Sequence, residues 1–211
     1  MAVVTISRLY GSGGSEVAAL VAKDLGWSLL DNAVVDAVAA RLGITASEVA
    51  AREERVPSLV QRLAEAMTLG SQDWLSPLAA AKRAPTDEQL VDVTHRIVEE
   101  AIARGPLVLV GRGAQSMLAS RGDALHVFCY APRGALIARS MARDRLDEAD
   151  ATKLVDETNA HREQWVKKHW NRSWRDHANY HLSVNTDWLG IAGAAELIAF
   201  AARRRFALQS A

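Results

Sequence analysis

Val3-Val4-Thr5-Ile6-Ser7-Arg8-Leu9-Tyr10-Gly11-Ser12-Gly13-Gly14-Ser15 decides how the chain is read. Its first four residues are an apolar, β-branched run of the kind that forms a buried strand. Residues 16 to 24 then read as a helix. Strand, glycine turn and helix N-terminus together suit a phosphate. The glycines allow close approach of the backbone, its N–H groups point inward, and the helix dipole favours an anion. The phosphate-loop pattern G-x-x-x-x-G-K-[ST] is only half present. With Gly13 as its last glycine, Gly14 takes the lysine position, Ser15 the hydroxyl position and Arg8 the first glycine. The dinucleotide pattern G-x-G-x-x-G fails where Glu16 replaces its third glycine. A glycine-rich turn without a ligand remains the plain alternative on these residues alone.

The chain has 211 residues, enough for one α/β domain with a sizeable core and an inserted lobe. Lys plus Arg and Asp plus Glu are each 25, so the net charge is zero and nothing global steers the protein to nucleic acid or a membrane. Met1 leads into a strand rather than a signal region, and no apolar run reaches the ~18 residues of a membrane span. The single cysteine, Cys129, lies in an apolar run and reads as a buried thiol. A cytoplasmic protein is expected, and the sequence leaves its oligomeric state open.

Beyond the first unit, Ser28-Leu29-Leu30 reads as a short strand, stopped by Asp31-Asn32, which can cap a helix from Ala33 to Leu42. Residues 44 to 104 read as a helical insertion. Thr45 caps its first segment, Pro57 opens another through Leu63 and Met67, and Gly70-Ser71 and Ser76-Pro77 break it. Thr86 starts a long amphipathic helix. Strands follow at Leu107 to Val110, up to Tyr130, and at Leu182 to Val184. Asp187 is expected to cap the last helix, to about Arg203. Strands alternating with helices predict a five-stranded, parallel, doubly wound sheet in three layers. Ligands of such sheets sit at the carboxyl ends of the strands. That rule gathers the loop, Asp31, Arg112 and Asn185 around one cleft.

These residues resemble the cytidylate kinase-like branch of the P-loop nucleoside monophosphate kinases. Ile6-Ser7-Arg8 and Tyr10-Gly11-Ser12-Gly13-Gly14 are similar to that branch's opening motif, which itself lacks the usual lysine. Leu30-Asp31-Asn32-Ala33 resembles the L-D-S-G-A stretch of true cytidylate kinases, and Gly111-Arg112-Gly113 their G-R-D segment. Asp156, Asn159 and Arg162 resemble the D-x-x-D-x-x-R of their lid. The resemblance implies a P-loop kinase fold, an acceptor-binding insertion at 44 to 104 and a lid at 140 to 176. It also implies transfer of the ATP γ-phosphoryl group, with Mg²⁺, to a nucleoside monophosphate such as CMP or dCMP, or to another small phosphorylated acceptor.

Roles follow residue by residue from that resemblance. Gly11 and the N–H groups of Ser12, Gly13, Gly14 and Ser15 hold the ATP phosphates, with the Ser15 hydroxyl as the Mg²⁺ ligand. Asp31 orients the acceptor or a metal-bound water. Arg112 and Arg162 grip the acceptor phosphate, and Arg139 and Arg143 neutralise charge in transfer. Three positions depart from the pattern. Gly14 removes the lysine, for which Arg8 is the nearest substitute cation. Gly113 and Asn159 replace carboxylates tied to cytosine recognition. These losses support the alternative of a catalytically weak or inactive nucleotide-binding protein on a kinase scaffold. Trp165, Trp170 and Trp174, interleaved with cations, read as an amphipathic lid over the core rather than a nucleic-acid surface. The histidines at 161, 169, 177 and 181 have no zinc spacing.

Overall fold

The computed structural model describes residues 1–53 and 85–207. The segment expected to open at Pro57 and the breaks at 70–71 and 76–77 lie outside the described residues. A five-stranded parallel sheet runs in the order β2-β3-β1-β4-β5. Its strands are β1 (Val3–Arg8), β2 (Ser28–Leu30), β3 (Leu107–Val110), β4 (Ala124–Tyr130) and β5 (Leu182–Asn185). All of the expected strands are present. β1 lies at the centre, with Val3 opposite Leu107 on one side and Ala124 on the other. Every residue of β1 and β3 is buried, as their unbroken apolar runs require of strands covered on both faces.

The pleat sorts these runs between two cores. Val4, Ile6, Val108 and Val110 pack with Val17 and Val21 of α1 (Gly14–Leu25) and Ile198 of the last helix. Val3, Leu107 and Leu109 face the other layer. There they meet Val34 and Val38 of α2 (Asn32–Leu42), Val49 of α3 (Ala46–Glu53), and Leu90 and Val98 of α4 (Asp87–Arg104). Thr86 caps α4 in a full capping box with Gln89, at the boundary its sequence predicts. A short α5 (Ala114–Met117) follows β3, α6 (Arg133–Asp144) follows β4, and α7 (Glu148–Trp170) is the long charged helix expected from 148 to 170.

Two helix starts differ from expectation. The final helix, α8 (Thr186–Phe206), is capped by Asn185 and not by Asp187. Asn185 Oδ1 accepts the N–H groups of Asp187 and Trp188 at 3.0 and 3.2 Å, because Asn185 keeps an extended backbone while Asp187 is already helical. The Asn185 side-chain oxygen is therefore engaged in starting α8. Asp31 occupies the cap position of α2, yet its side chain makes no capping hydrogen bond. Among the described residues, no helix is long and apolar enough to cross a membrane.

Candidate active site

In this strand order the chain passes from β1 to β2 on one side and from β3 to β4 on the other, so the crevice opens at the carboxyl ends of the adjacent strands β1 and β3. There the chain turns through Leu9–Gly13 into α1. Gly11 and Gly13 take φ of 80° and 73°, which side chains rarely adopt. A Cβ on Gly11 would strike the Leu136 carbonyl, so space also excludes one. Ser12 is tied inward. Its N–H and its hydroxyl both donate to Leu9 O, at 3.2 and 2.8 Å, and its carbonyl accepts the Thr186 hydroxyl at 2.6 Å. The Ser12 amide expected to face phosphate is therefore engaged within the loop. Gly14 and Ser15 lie in the first turn of α1, where N–H groups lack intrahelical acceptors and Gly13 adds no side-chain cap. That uncapped start, reached over glycines, fits an anionic phosphate chain.

Three guanidiniums converge beside it. Arg8, at the end of β1, is 7% exposed, Arg112, after β3, is 4% exposed, and Arg162, on α7, is 7% exposed. All three line one small cavity, walled by Trp165, Val166 and Trp174. Arg112 sits between two glycines, and all three residues are left-handed, with φ of 68°, 57° and 64°. A left-handed arginine is strained, so this turn aims a guanidinium at some conformational cost. Asp31 faces Arg8, with Oδ1 3.9 Å from Nη2. Its carboxylate is thus turned to a cation instead of to its own helix.

The remaining expected residues buttress the loop. Asn159 is buried and its Oδ1 accepts the Tyr10 N–H at 2.8 Å. Arg162 Nη1 donates to Arg8 O at 2.8 Å. Arg139 Nη1 donates to Gly11 O at 3.2 Å, which keeps its charge beside the loop. Arg143 lies 4.6 Å over the Tyr10 ring and pairs with Asp144 at 2.8 Å. Burial works against an ionised Asp144, but hydrogen bonds from Arg143 and Tyr10 outweigh it and hold the carboxyl below its usual range. Arg143 thereby serves the Tyr10 anchor, whereas Arg139 borders the glycines themselves.

Gly113 is crowded by an indole. A Cβ there would fall on Trp170 Cη2 and Cζ3 and within 3.2 Å of Cε3. Trp165 and Trp174 are buried, Trp174 edge-on to Phe128, so the aromatics do cover the core. They also wall the cavity, a role that sequence reading did not assign. Lys168 and Arg175 pair with Asp87 and Glu163, which uses these cations within the fold. Burial pushes the Cys129 thiol up to about 12 despite the nearby Arg8 charge, so it is no nucleophile. Tyr10 and Thr186 were also missed. Each holds the loop through contacts more than 100 residues distant, which local pattern does not reveal.

Among the described residues, no group of His, Cys, Asp and Glu has the arrangement to hold a metal by itself. Ser15, exposed in the first turn of α1, and Asp31, after β2, are oxygen donors of the kind that Mg²⁺ accepts beside nucleotide oxygens and water.

The sequence model described as the cytidylate kinase-like family matches residues 3–188. No curated protein matches the chain. An uncharacterized protein from Eubacterium ventriosum has a similar solved structure, with a TM-score of 0.69 and 16% identity over 96% of this chain and 98% of its own. A gluconokinase from Sinorhizobium meliloti superposes with a TM-score of 0.53 and 15% identity, over 100% and 98% of the two chains. A shikimate kinase from Acinetobacter baumannii, in complex with shikimate, gives 0.50 and 15%, over 94% and 90%. At these identities the likeness is one of fold, and the sheet with its flanking helices is that of the P-loop kinases.

Proposed function

The chain belongs to the cytidylate kinase-like family, and from that premise we propose that it transfers the γ-phosphoryl group of ATP, in the cytoplasm, to a small phosphorylated acceptor, with a nucleoside monophosphate such as CMP or dCMP first among them. The observation that carries this reading is one convergence. The uncapped start of α1 meets three buried guanidiniums and a carboxylate that declines its own helix cap. Three guanidiniums lining one small cavity concentrate positive charge where a phosphate can be met by several donors.

Bound ATP would supply the phosphoryl group, whose phosphorus exchanges its bond to the departing ADP oxygen for one to an acceptor phosphate oxygen. Mg²⁺ would neutralise phosphate charge, with Ser15 and Asp31 as the chain's contributions to its shell. The amides of Gly14 and Ser15 hold the phosphate chain. Arg112 and Arg162 grip the acceptor phosphate, and Arg139 lies where charge gathers at the glycine loop. Trp165 and Trp174 wall the cavity with apolar surface beside Arg112 and Arg162, which strengthens their hold on a phosphate. The insertion at 44 to 104 would contribute to acceptor binding, and residues 140 to 176 would act as the lid.

No carboxylate stands at Gly113 or Asn159 to accept from a cytosine amino group. This supports an acceptor chosen by its phosphate more than by its base. A coupled assay for ADP, run with a panel of nucleoside monophosphates and other small phosphate esters, tests the proposal. ADP release well above the acceptor-free rate with at least one acceptor is expected. Tight Mg-ATP binding without turnover on any acceptor would instead favour the nucleotide-binding protein that the missing lysine suggests.

A further inference from the structure

We propose that Arg8 and Gly14 form one unit, in which the Arg8 guanidinium supplies from the strand the positive charge that phosphate loops otherwise carry on a lysine at the position of Gly14. The inference rests on the phosphoryl-transfer reading above and specifies how its loop works.

Gly14 does not need to be glycine for its backbone. It is helical, and it is absent from the residues of positive φ. The requirement is spatial. A Cβ on Gly14 would fall on Arg8 Cβ, and within 2.8 Å of Arg8 Cγ and 3.4 Å of Cys129 Cβ. The Arg8 Cβ is the root of its side chain, fixed by the strand, so it cannot swing aside as a flexible tip can. While Arg8 occupies this place, any side chain at residue 14, lysine included, forces the strand end or the helix start to shift. The two ways of delivering a cation therefore compete for one place.

The rest of the Arg8 geometry suits the task. Its stem crosses the first turn of α1, and its head lines the cavity shared with Arg112 and Arg162. The charge thus stands between the anion-binding helix start and the acceptor cavity. Asp31 faces it at 3.9 Å, close enough to steady the charge and longer than a direct hydrogen bond. The backbone of Arg8 is fixed from both sides, by Arg162 on its carbonyl and by pairing with Cys129 in β4. An arginine so placed is preorganised for phosphate oxygens, which its fork can meet in pairs.

The test combines Mg-ATP titration calorimetry with melting of the ligand-free protein. R8A is expected to weaken Mg-ATP binding about tenfold or more, the worth of a charge-assisted hydrogen bond, and R8K is expected to restore part of it. R8A still leaves a Cβ against residue 14, so the exchange requires R8G. The double variant R8G/G14K is expected to bind Mg-ATP more tightly than R8G alone. Without ligand, G14A is expected to lower the melting temperature when Arg8 is present and not in the R8G background. Equal Mg-ATP affinity of R8A and the unsubstituted protein overturns the inference, as does an R8G/G14K protein that binds no better than R8G. If that double variant does not fold, R8K that binds no better than R8A overturns it. Failure of the unsubstituted protein to bind Mg-ATP is a separate result, visible before any substitution, and it removes the functional reading as well.

Discussion

Asn159 Oδ1 accepts the backbone N–H of Tyr10 at 2.8 Å, inside the protein and across 149 positions of sequence. One turn further along α7, Arg162 donates to the carbonyl of Arg8 at 2.8 Å. From α6, Arg139 reaches the carbonyl of Gly11. The glycine loop is thus held by α7, within the lid region expected at 140 to 176, and by α6, the helix that leads into it. α7 cannot shift relative to the loop without breaking two buried hydrogen bonds. Any closure on the acceptor is in this way coupled mechanically to the geometry of the phosphate-binding turn.

Removing the Asn159 amide leaves the Tyr10 N–H buried without an acceptor. An orphaned buried donor costs about 1–3 kcal/mol. N159A is therefore expected to lose stability of that order in urea denaturation at unchanged m-value, and to weaken Mg-ATP binding as the loop loosens. Loss of stability with Mg-ATP affinity untouched would show that the loop holds its shape without α7.

Stability should fall on acidification because of His126. Its ring is buried, Nδ1 lies 2.8 Å from the Thr5 hydroxyl, and His181 stacks on it with centroids 5.1 Å apart. Burial first, then the charges of His181 and Arg172, lower its pKa from 6.5 to about 4. Between those values the unfolded chain binds a proton that the folded one refuses, so unfolding gains from every drop in pH. The native state is expected to lose up to about 3 kcal/mol between pH 6.5 and 4 from this group. Urea titrations across that range should show the slope, and H126Q should flatten it. An unchanged slope in H126Q would assign the acid sensitivity to other groups.

The sheet was legible because burial on both faces leaves a plain mark. Leu107 to Val110 is apolar throughout, and the start of α4 is written in Thr86 and Gln89. Asp31 and Arg112 could be placed at the cleft because a parallel sheet sends every strand's carboxyl end to one edge. The partner of each side chain there was not legible. Arg139 and Arg143 are one turn apart on α6, but one borders Gly11 and the other covers Tyr10. Asn185 and Asp187, two cap formers two positions apart, were distinguished only by backbone conformation. The reason for a glycine at 14 or 113 lies in side chains arriving from a strand end and from the far end of α7.

Arg112 separates stability from activity. Its left-handed backbone favours glycine, which offsets part of the packing lost with the buried side chain, so R112G is expected to change stability by no more than about 1–2 kcal/mol. The same change removes a buried guanidinium from the acceptor cavity. It should lower kcat/KM for the acceptor by about 10²-fold or more, the scale for loss of one preorganised electrostatic contact. Mg-ATP affinity should stay within about twofold, since the helix start and Arg8 are unaltered. Melting curves and steady-state kinetics on one preparation check both halves. Equal losses in ATP and acceptor binding would move Arg112 out of the acceptor subsite.

Gly113 and Trp170 should behave as a coupled pair. G113A faces two costs, a φ of 64° and a Cβ driven into the Trp170 ring. The backbone part is worth about 1 kcal/mol, and overpacking against a ring adds about 1–3 kcal/mol. W170A on its own should be destabilising through lost burial. In the W170A background G113A should cost only the backbone part, so the double-mutant cycle is expected to give a coupling energy of about 1–3 kcal/mol. The pair also bears on the acceptor. The indole occupies the space that a longer side chain at 113 would need, so G113D should fail to raise kcat/KM for CMP over UMP, whereas G113D/W170A can present its carboxylate. A coupling energy near zero would mean that the Trp170 ring moves aside freely, and a CMP preference in G113D itself would show the space to be open.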